Sequence, residues 1–132
     1  MWTYALLALP GTFAHESAHF LVALVLGAQP QFPSLIPQRS EHGWRLGSVR
    51  FRAGLLRSLP IVLAPLLLLP LGLAWALYFF APAGTWPLQM FHLWLVASLL
   101  TASLPSSADL RIALPALGLA LIAALAWWLL RG

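Results

Sequence analysis

The sequence predicts an all-α polytopic membrane protein: about four transmembrane helices, with a short strand-like cytoplasmic insertion between the first and second. Three observations carry that expectation. Of the 132 residues, 61% are hydrophobic and 8% charged, whereas a soluble domain has about a quarter of its residues charged. The apolar residues fall into runs long enough to cross a hydrocarbon layer of about 30 Å. The polar residues are gathered into one stretch, Gly27 to Ser58, which holds five of the seven arginines: Arg39, Arg45, Arg50, Arg52 and Arg57. A chain this short leaves no room for a separate soluble module, so a single transmembrane domain over residues 1–132 is expected.

Composition narrows the chemistry. There is no Cys, which excludes a disulfide framework, thiolate metal ligands and a cysteine nucleophile. There is also no Lys and no Asn, and with only three acidic residues the net charge of +4 reflects scarce acids. No nucleic-acid partner is expected from it. The first residues carry no charged n-region and no small-residue cleavage site, so the first segment reads as a retained span and not as a signal peptide.

Taken in order, the first span covers about residues 2–26, with Pro10-Gly11 either kinking it or marking where the helix proper begins. Ala14 and Ala18 offer a small-residue face for a neighbouring helix. In the polar loop 27–58, Trp44, Leu46, Val49 and Phe51 mix with Gly and Arg, a poor helix pattern. A strand or hairpin over Gly43 to Ala53 is expected, with a turn near Arg39 to Gly43. It reads either as an edge that receives an extended peptide or as a plain charged loop against water and lipid headgroups. The second span, about 59–81, contains Pro60, Pro65 and Pro70 and should be an irregular helix. The third, about 88–104, holds His92 and Trp94, and the fourth runs over about 112–130.

Orientation follows from arginine. With the 27–58 loop in the cytoplasm, Arg111 lies on the same side, leaving six Arg inside and one outside. Trp2, Tyr4, Trp75, Tyr78, Trp86, Trp127 and Trp128 then cluster at the outer interface, and both termini face out.

Within the first span stands His15-Glu16-Ser17-Ala18-His19. At 3.6 residues per turn, two histidines four apart share a helix face and can bind one divalent metal, and the intervening Glu16 lies close enough to act on a water beside it. With four His and two Glu in the chain, a chance match to this pattern arises about once in 500 such sequences. Ionisable side chains are costly in a lipid-suited segment and mark function there. The competing reading is a helix whose His and Glu merely hydrogen-bond across a bundle.

A catalytic zinc takes three protein ligands and keeps one position open. Beyond His15 and His19 the chain offers Glu41, His42, His92 and Asp109. Glu41 and His42 fall in the polar loop, where water solvates them, and His92 suits an interfacial hydrogen bond. Asp109 lies in a turn, Pro105 to Asp109, that should stop short of the cytoplasmic surface at the depth of His15. It is therefore the favoured third ligand. Its alternatives are an N-cap of the fourth helix or an ion pair with Arg111.

These residues resemble the site-2 protease family of intramembrane zinc metalloproteases. His15, Glu16 and His19 match that family's first motif completely, and Ser103-Leu104-Pro105 followed by Asp109 looks like a degenerate form of its second. The resemblance covers roughly Ala8 to Arg111 and implies one zinc ion per chain held by His15, His19 and Asp109. It also implies that Glu16 is the catalytic base and that a transmembrane protein is the substrate, cut near the cytoplasmic side of the bilayer. The family's substrate-positioning Asn is absent, with Ser103, Ser106 and Ser107 as stand-ins, and Leu110-Arg111 replaces the usual Gly. No gating domain accompanies the core, and a homo-oligomer that completes a substrate gate is compatible with so few spans. Two other classes remain: a small channel, transporter or relay for protons or metal using the same intramembrane His, Glu and Asp, and a non-catalytic relative that binds membrane proteins.

Overall fold

The computed structural model describes residues 2–36, 38–40, 43–45 and 48–131. The described chain is mainly helical, with one short hairpin and irregular connections at residues 28–36, 48–54 and 81–85. In order the elements are α1 (Trp2–Leu7), α2 (Leu9–Val25), β1 (Gln38–Ser40), β2 (Gly43–Arg45), α3 (Leu55–Val62), a 3-10 segment (Ala64–Leu67), α4 (Leu68–Trp75), a π-helical turn (Ala76–Phe80), α5 (Trp86–Ala102) and α6 (Ser107–Arg131).

Pro10 sits in the first turn of α2, where its missing N–H would have had no partner in any case. The helix thus begins at Leu9 and is not kinked there. Its end is a Schellman motif. Gly27 takes φ +66°, its N–H donates to Leu24 O (3.1 Å), and the Ala28 N–H donates to Ala23 O (2.8 Å). Ala23 and Ala28 pack together with Ile61, all three almost fully buried, and Val22, Leu26, Phe51 and Ala53 close over them.

The polar loop holds a hairpin, but its second strand covers only Gly43–Arg45 of the Gly43 to Ala53 expected, and its first strand takes in Arg39, where the turn was expected. β1 and β2 pair antiparallel with Gln38 opposite Arg45, Arg39 opposite Trp44 and Ser40 opposite Gly43; Glu41 and His42 lie outside the described residues. Below it the two arms stay paired, through Ser34 and Ser48 (3.0 and 3.1 Å), Gln31 N to Arg50 O (2.8 Å) and Arg52 N to Ala28 O (2.8 Å). Pro30 and Pro33 are accommodated because the donors on that arm are Gln31 and Ser34.

The next stretch is the expected irregular helix, made of α3, the 3-10 segment, α4 and the π-helical turn; Pro65 stands at the α3-to-3-10 break, while Pro60 and Pro70 lie inside α3 and α4. It starts at Leu55, four residues before the expected position. Extended Gly54 releases the chain from the hairpin, and Arg57 is carried on the exposed side of the first turn. α6 likewise starts at Ser107, five residues early, for a capping reason given below. The continuous helical stretches Leu55–Phe80 and Ser107–Arg131, of 26 and 25 residues, are long and apolar enough to cross a membrane. α2 and α5 have 17 residues each, about 25 Å of helix.

α2 and α5 run parallel in one constant register. Trp94 Nε1 donates to Leu7 O (2.9 Å), Gly11 abuts Ser98, and His15 Nδ1 meets Ala102 O (2.7 Å), each pair 87 residues apart. Gly11 permits that approach, since a Cβ there would overlap the Ser98 carbonyl oxygen and press on Ala102 Cβ. The sequence pointed to Ala14 and Ala18 as the close-packing residues, yet both are only half-buried. Gly11→Ala is expected to destabilise the protein by about 1–3 kcal/mol, read as a lower thermal midpoint in detergent. Helix propensity alone would favour Ala by about 1 kcal/mol, so the sign of the shift reports the contact.

Candidate metal centre

α2 turns Gly11, Glu16, His19 and Ala23 inward, so the His-Glu-x-x-His segment faces the bundle. His15 points to the end of α5 and the start of α6, and His19 to α3. Asp109 enters from the first turn of α6. His15 Nε2 lies 3.5 Å from Asp109 Oδ2, His19 Nε2 lies 3.3 Å from Asp109 Oδ1, and the two Nε2 atoms are 3.1 Å apart. The three side chains form one group able to hold a metal ion. All three are largely removed from solvent, with 6–13% of each side chain exposed.

Each imidazole is held from behind by a backbone carbonyl. His15 Nδ1 donates to Ala102 O (2.7 Å) and His19 Nδ1 donates to Ile61 O (2.7 Å). A carbonyl oxygen only accepts, so both Nδ1 atoms carry hydrogen, and each ring when neutral presents its lone pair at Nε2. Both carbonyls are free for a reason written in the sequence. Ala102 is the last residue of α5, whose terminal carbonyls have no partner within the helix. Ile61 would ordinarily bond the N–H of residue 65, which is a proline.

Asp109 is fixed by a reciprocal cap. Ser106 is the N-cap of α6: its Oγ accepts the Asp109 N–H (3.2 Å), while Asp109 Oδ2 accepts the Ser106 N–H (2.7 Å) and hydroxyl (2.6 Å). This Ser-x-x-Asp arrangement is a capping box. It explains the early start of α6 and shows that Asp109 is three residues inside the helix, not its N-cap. Among the described residues the ion-pair partners of Asp109 are His15 and His19; Arg111 is exposed.

The donor set fits a divalent ion. Adjacent ligands of a tetrahedral ion bound at about 2.0–2.1 Å stand about 3.3–3.4 Å apart. The two Nε2 atoms are 3.1 Å apart, each lies 3.3–3.5 Å from a different oxygen of Asp109, and one atom from each residue falls within 4.8 Å of the others. Two imidazole lone pairs and a carboxylate at these distances repel one another unless a proton or a metal cation is shared among them. Their second-sphere bonds, Nδ1 to carbonyl and carboxylate to Ser106, are of the kind that orients metal ligands.

Glu16 is 7% exposed, stands outside the ligand group and lies within electrostatic reach of His15. His92 is about 15 Å of helix away, ten residues earlier on α5. Its Nδ1 accepts the Trp75 Nε1 hydrogen (3.2 Å), with Phe79 and Phe91 beside it. His42 and Glu41 fall outside the described residues. Of the three serines, Ser103 is buried with its hydroxyl donating to Leu100 O (2.7 Å), Ser106 serves the cap, and Ser107 is exposed at the start of α6.

The sequence reading did not identify the two carbonyls that hold the histidines. A signal for one of them was present, since a proline frees the carbonyl four residues before it. The Ala102 carbonyl became visible only with the parallel packing of α2 and α5. No family model, curated protein or solved structure matches this chain.

Proposed function

We propose that this chain is a multi-pass intramembrane zinc metalloprotease that hydrolyses peptide bonds of transmembrane proteins near the cytoplasmic side. The observation that carries the reading is the convergence of His15, His19 and Asp109 at ligand separations, with buried Glu16 beside them.

Four spans are supported by direction. α2 and α5 run parallel, so the Leu55–Phe80 stretch between them returns across the membrane, and α6 returns again. The outward faces suit lipid: Phe13, Leu21, Leu121 and Ile122 are each more than half exposed. The arginine-bearing hairpin then lies in the cytoplasm and both termini outside.

His15, His19 and Asp109 would hold the zinc, a preference that follows from two imidazoles and a carboxylate. When bound, zinc supplies Lewis-acid polarisation of the scissile carbonyl and makes a water more acidic. Glu16 takes the proton from that water on a carboxylate oxygen and passes it to the departing amine. The carbonyls of Ala102 and Ile61 keep both imidazoles aimed while this happens.

A substrate helix has its carbonyls already bonded and must unwind before it is cut. The hairpin arm at Val49 to Phe51 offers a place for the unwound segment. With Ser48, Arg50 and Arg52 bonding inward, the alternate residues Val49 and Phe51 present their backbone groups to the other side. Phe51 packs in the cluster that contains Ile61, whose carbonyl holds His19, so this arm adjoins the centre.

The test is metal content together with proteolysis. Protein purified in detergent is expected to carry about one zinc per chain. Reconstituted with a panel of transmembrane peptides it should release fragments, and chelation should stop that release until zinc is restored. A well-folded protein that binds no zinc, or a zinc-loaded protein that cuts no member of the panel, would count against the assignment.

A further inference from the structure

The prolines of the Leu55–Phe80 stretch are not equivalent. Each removes the N–H that would bond the carbonyl four residues earlier. For Pro60 and Pro70 those carbonyls belong to Leu56 and Leu66, 58% and 43% exposed. For Pro65 it belongs to Ile61, which is fully buried, as is Pro65 itself. Helical backbone continues on both sides of Ile61, through α3 and into the 3-10 segment. With any other residue at 65, an N–H would stand at the junction of α3 and the 3-10 segment, four residues after Ile61 and within reach of the Ile61 and Val62 carbonyls. Instead the Ile61 carbonyl accepts from His19 Nδ1 at 2.7 Å. Both carbonyls that hold the histidines lie in the last turn of a helix, Ala102 at the end of α5 and Ile61 next to last in α3, but only after Ile61 does helical backbone continue, into the 3-10 segment.

We propose that Pro65 is a positioning residue for the metal centre: by lacking a backbone N–H it reserves the Ile61 carbonyl for His19 Nδ1, and so keeps His19 Nε2 directed at His15 and Asp109. This role rests on the metal-centre reading above. In Pro65→Ala the new N–H competes for the carbonyl, His19 loses its fixed tautomer, and part of the population carries hydrogen on Nε2, the atom a metal needs.

Zinc affinity, measured by competition with a chelator, is expected to fall about 10- to 100-fold in Pro65→Ala, the usual effect of losing such a second-sphere bond. In metal-free protein the imidazole 15N spectrum should change from a single Nδ1–H form of His19 to a mixture of tautomers. Two controls separate the missing donor from a straightened helix. Pro65→lactic acid has the side chain of alanine and no backbone N–H, and should restore both affinity and spectrum. Pro70→Ala alters the same stretch at an exposed proline and should leave both unchanged.

Wild-type affinity and an unchanged spectrum in Pro65→Ala would overturn the proposal. So would failure of the lactic acid variant to restore them, or an equal loss in Pro70→Ala. A folded wild type with no affinity for zinc would instead fail the metal-centre reading, and this role with it, while all the variants behaved alike.

Discussion

Replacing Asp109 with Ala should reduce bound zinc from about one ion per chain to near none, with affinity lowered on the order of 1,000-fold. The expectation comes from its two oxygens, one 3.3 Å from His19 Nε2 and the other 3.5 Å from His15 Nε2. Without them the histidine pair alone must hold the ion. The same carboxylate closes the capping box with Ser106, so Asp109→Ala also removes a helix cap, at about 1 kcal/mol. Asp109→Asn separates the two effects. Its amide oxygen can still accept the Ser106 N–H, so the thermal midpoint should stay near wild type, whereas a neutral amide is a poor zinc ligand. Zinc loss in both variants with a stability loss only in the first is the expected pattern. Undiminished zinc in Asp109→Ala would remove Asp109 from the ligand set. His92 is badly placed to replace it, being engaged with Trp75 about 15 Å along α5.

The difference between what could and could not be read in advance follows from the range of each interaction. His15 and His19 were recognisable because a spacing of four is a local property of a helix, independent of what packs against it. The hairpin was legible for a similar reason, since Gly, Arg and alternating large side chains disfavour helix whatever the surroundings. The irregularity of the Leu55–Phe80 stretch was legible from its prolines, although only Pro65 coincides with a break between segments. Hydropathy places both helix starts late, at 59 and 112 against Leu55 and Ser107, because the first turns carry Arg57, Asp109 and Arg111. The backbone instead begins where a residue can end the preceding extended chain, Gly54 in one case and Ser106 in the other. The Ser106–Asp109 box is present in the sequence, and one carboxylate serves both the cap and the histidine pair, so the two readings of Asp109 do not compete. The meeting of Asp109 with the histidines depends on the register of α2 against α5. That register rests on Gly11 fitting against Ser98, a long-range match that no local pattern reveals.

Glu16→Gln is the substitution that distinguishes an enzyme from a membrane protein that merely holds a metal. The change keeps side-chain size and removes only the ability to take up a proton, so cleavage of a transmembrane substrate should fall by about 100- to 10,000-fold. Zinc content should not change, because Glu16 is not one of the three ligands. Folding should also survive, since an amide can replace a carboxylate in a buried polar setting without leaving a charge behind. The paired measurement is therefore zinc per chain and fragment release by the same purified sample. Full zinc with no fragments supports Glu16 as the group that moves the proton. Full zinc with undiminished fragments would show that the proton leaves by another path. A protein in which neither wild type nor variant cuts, yet which conducts metal or protons across sealed vesicles, would move the buried His, Glu and Asp from hydrolysis to transport. In that case Glu16→Gln should reduce flux instead, since a relay along the bundle needs the same titratable oxygen.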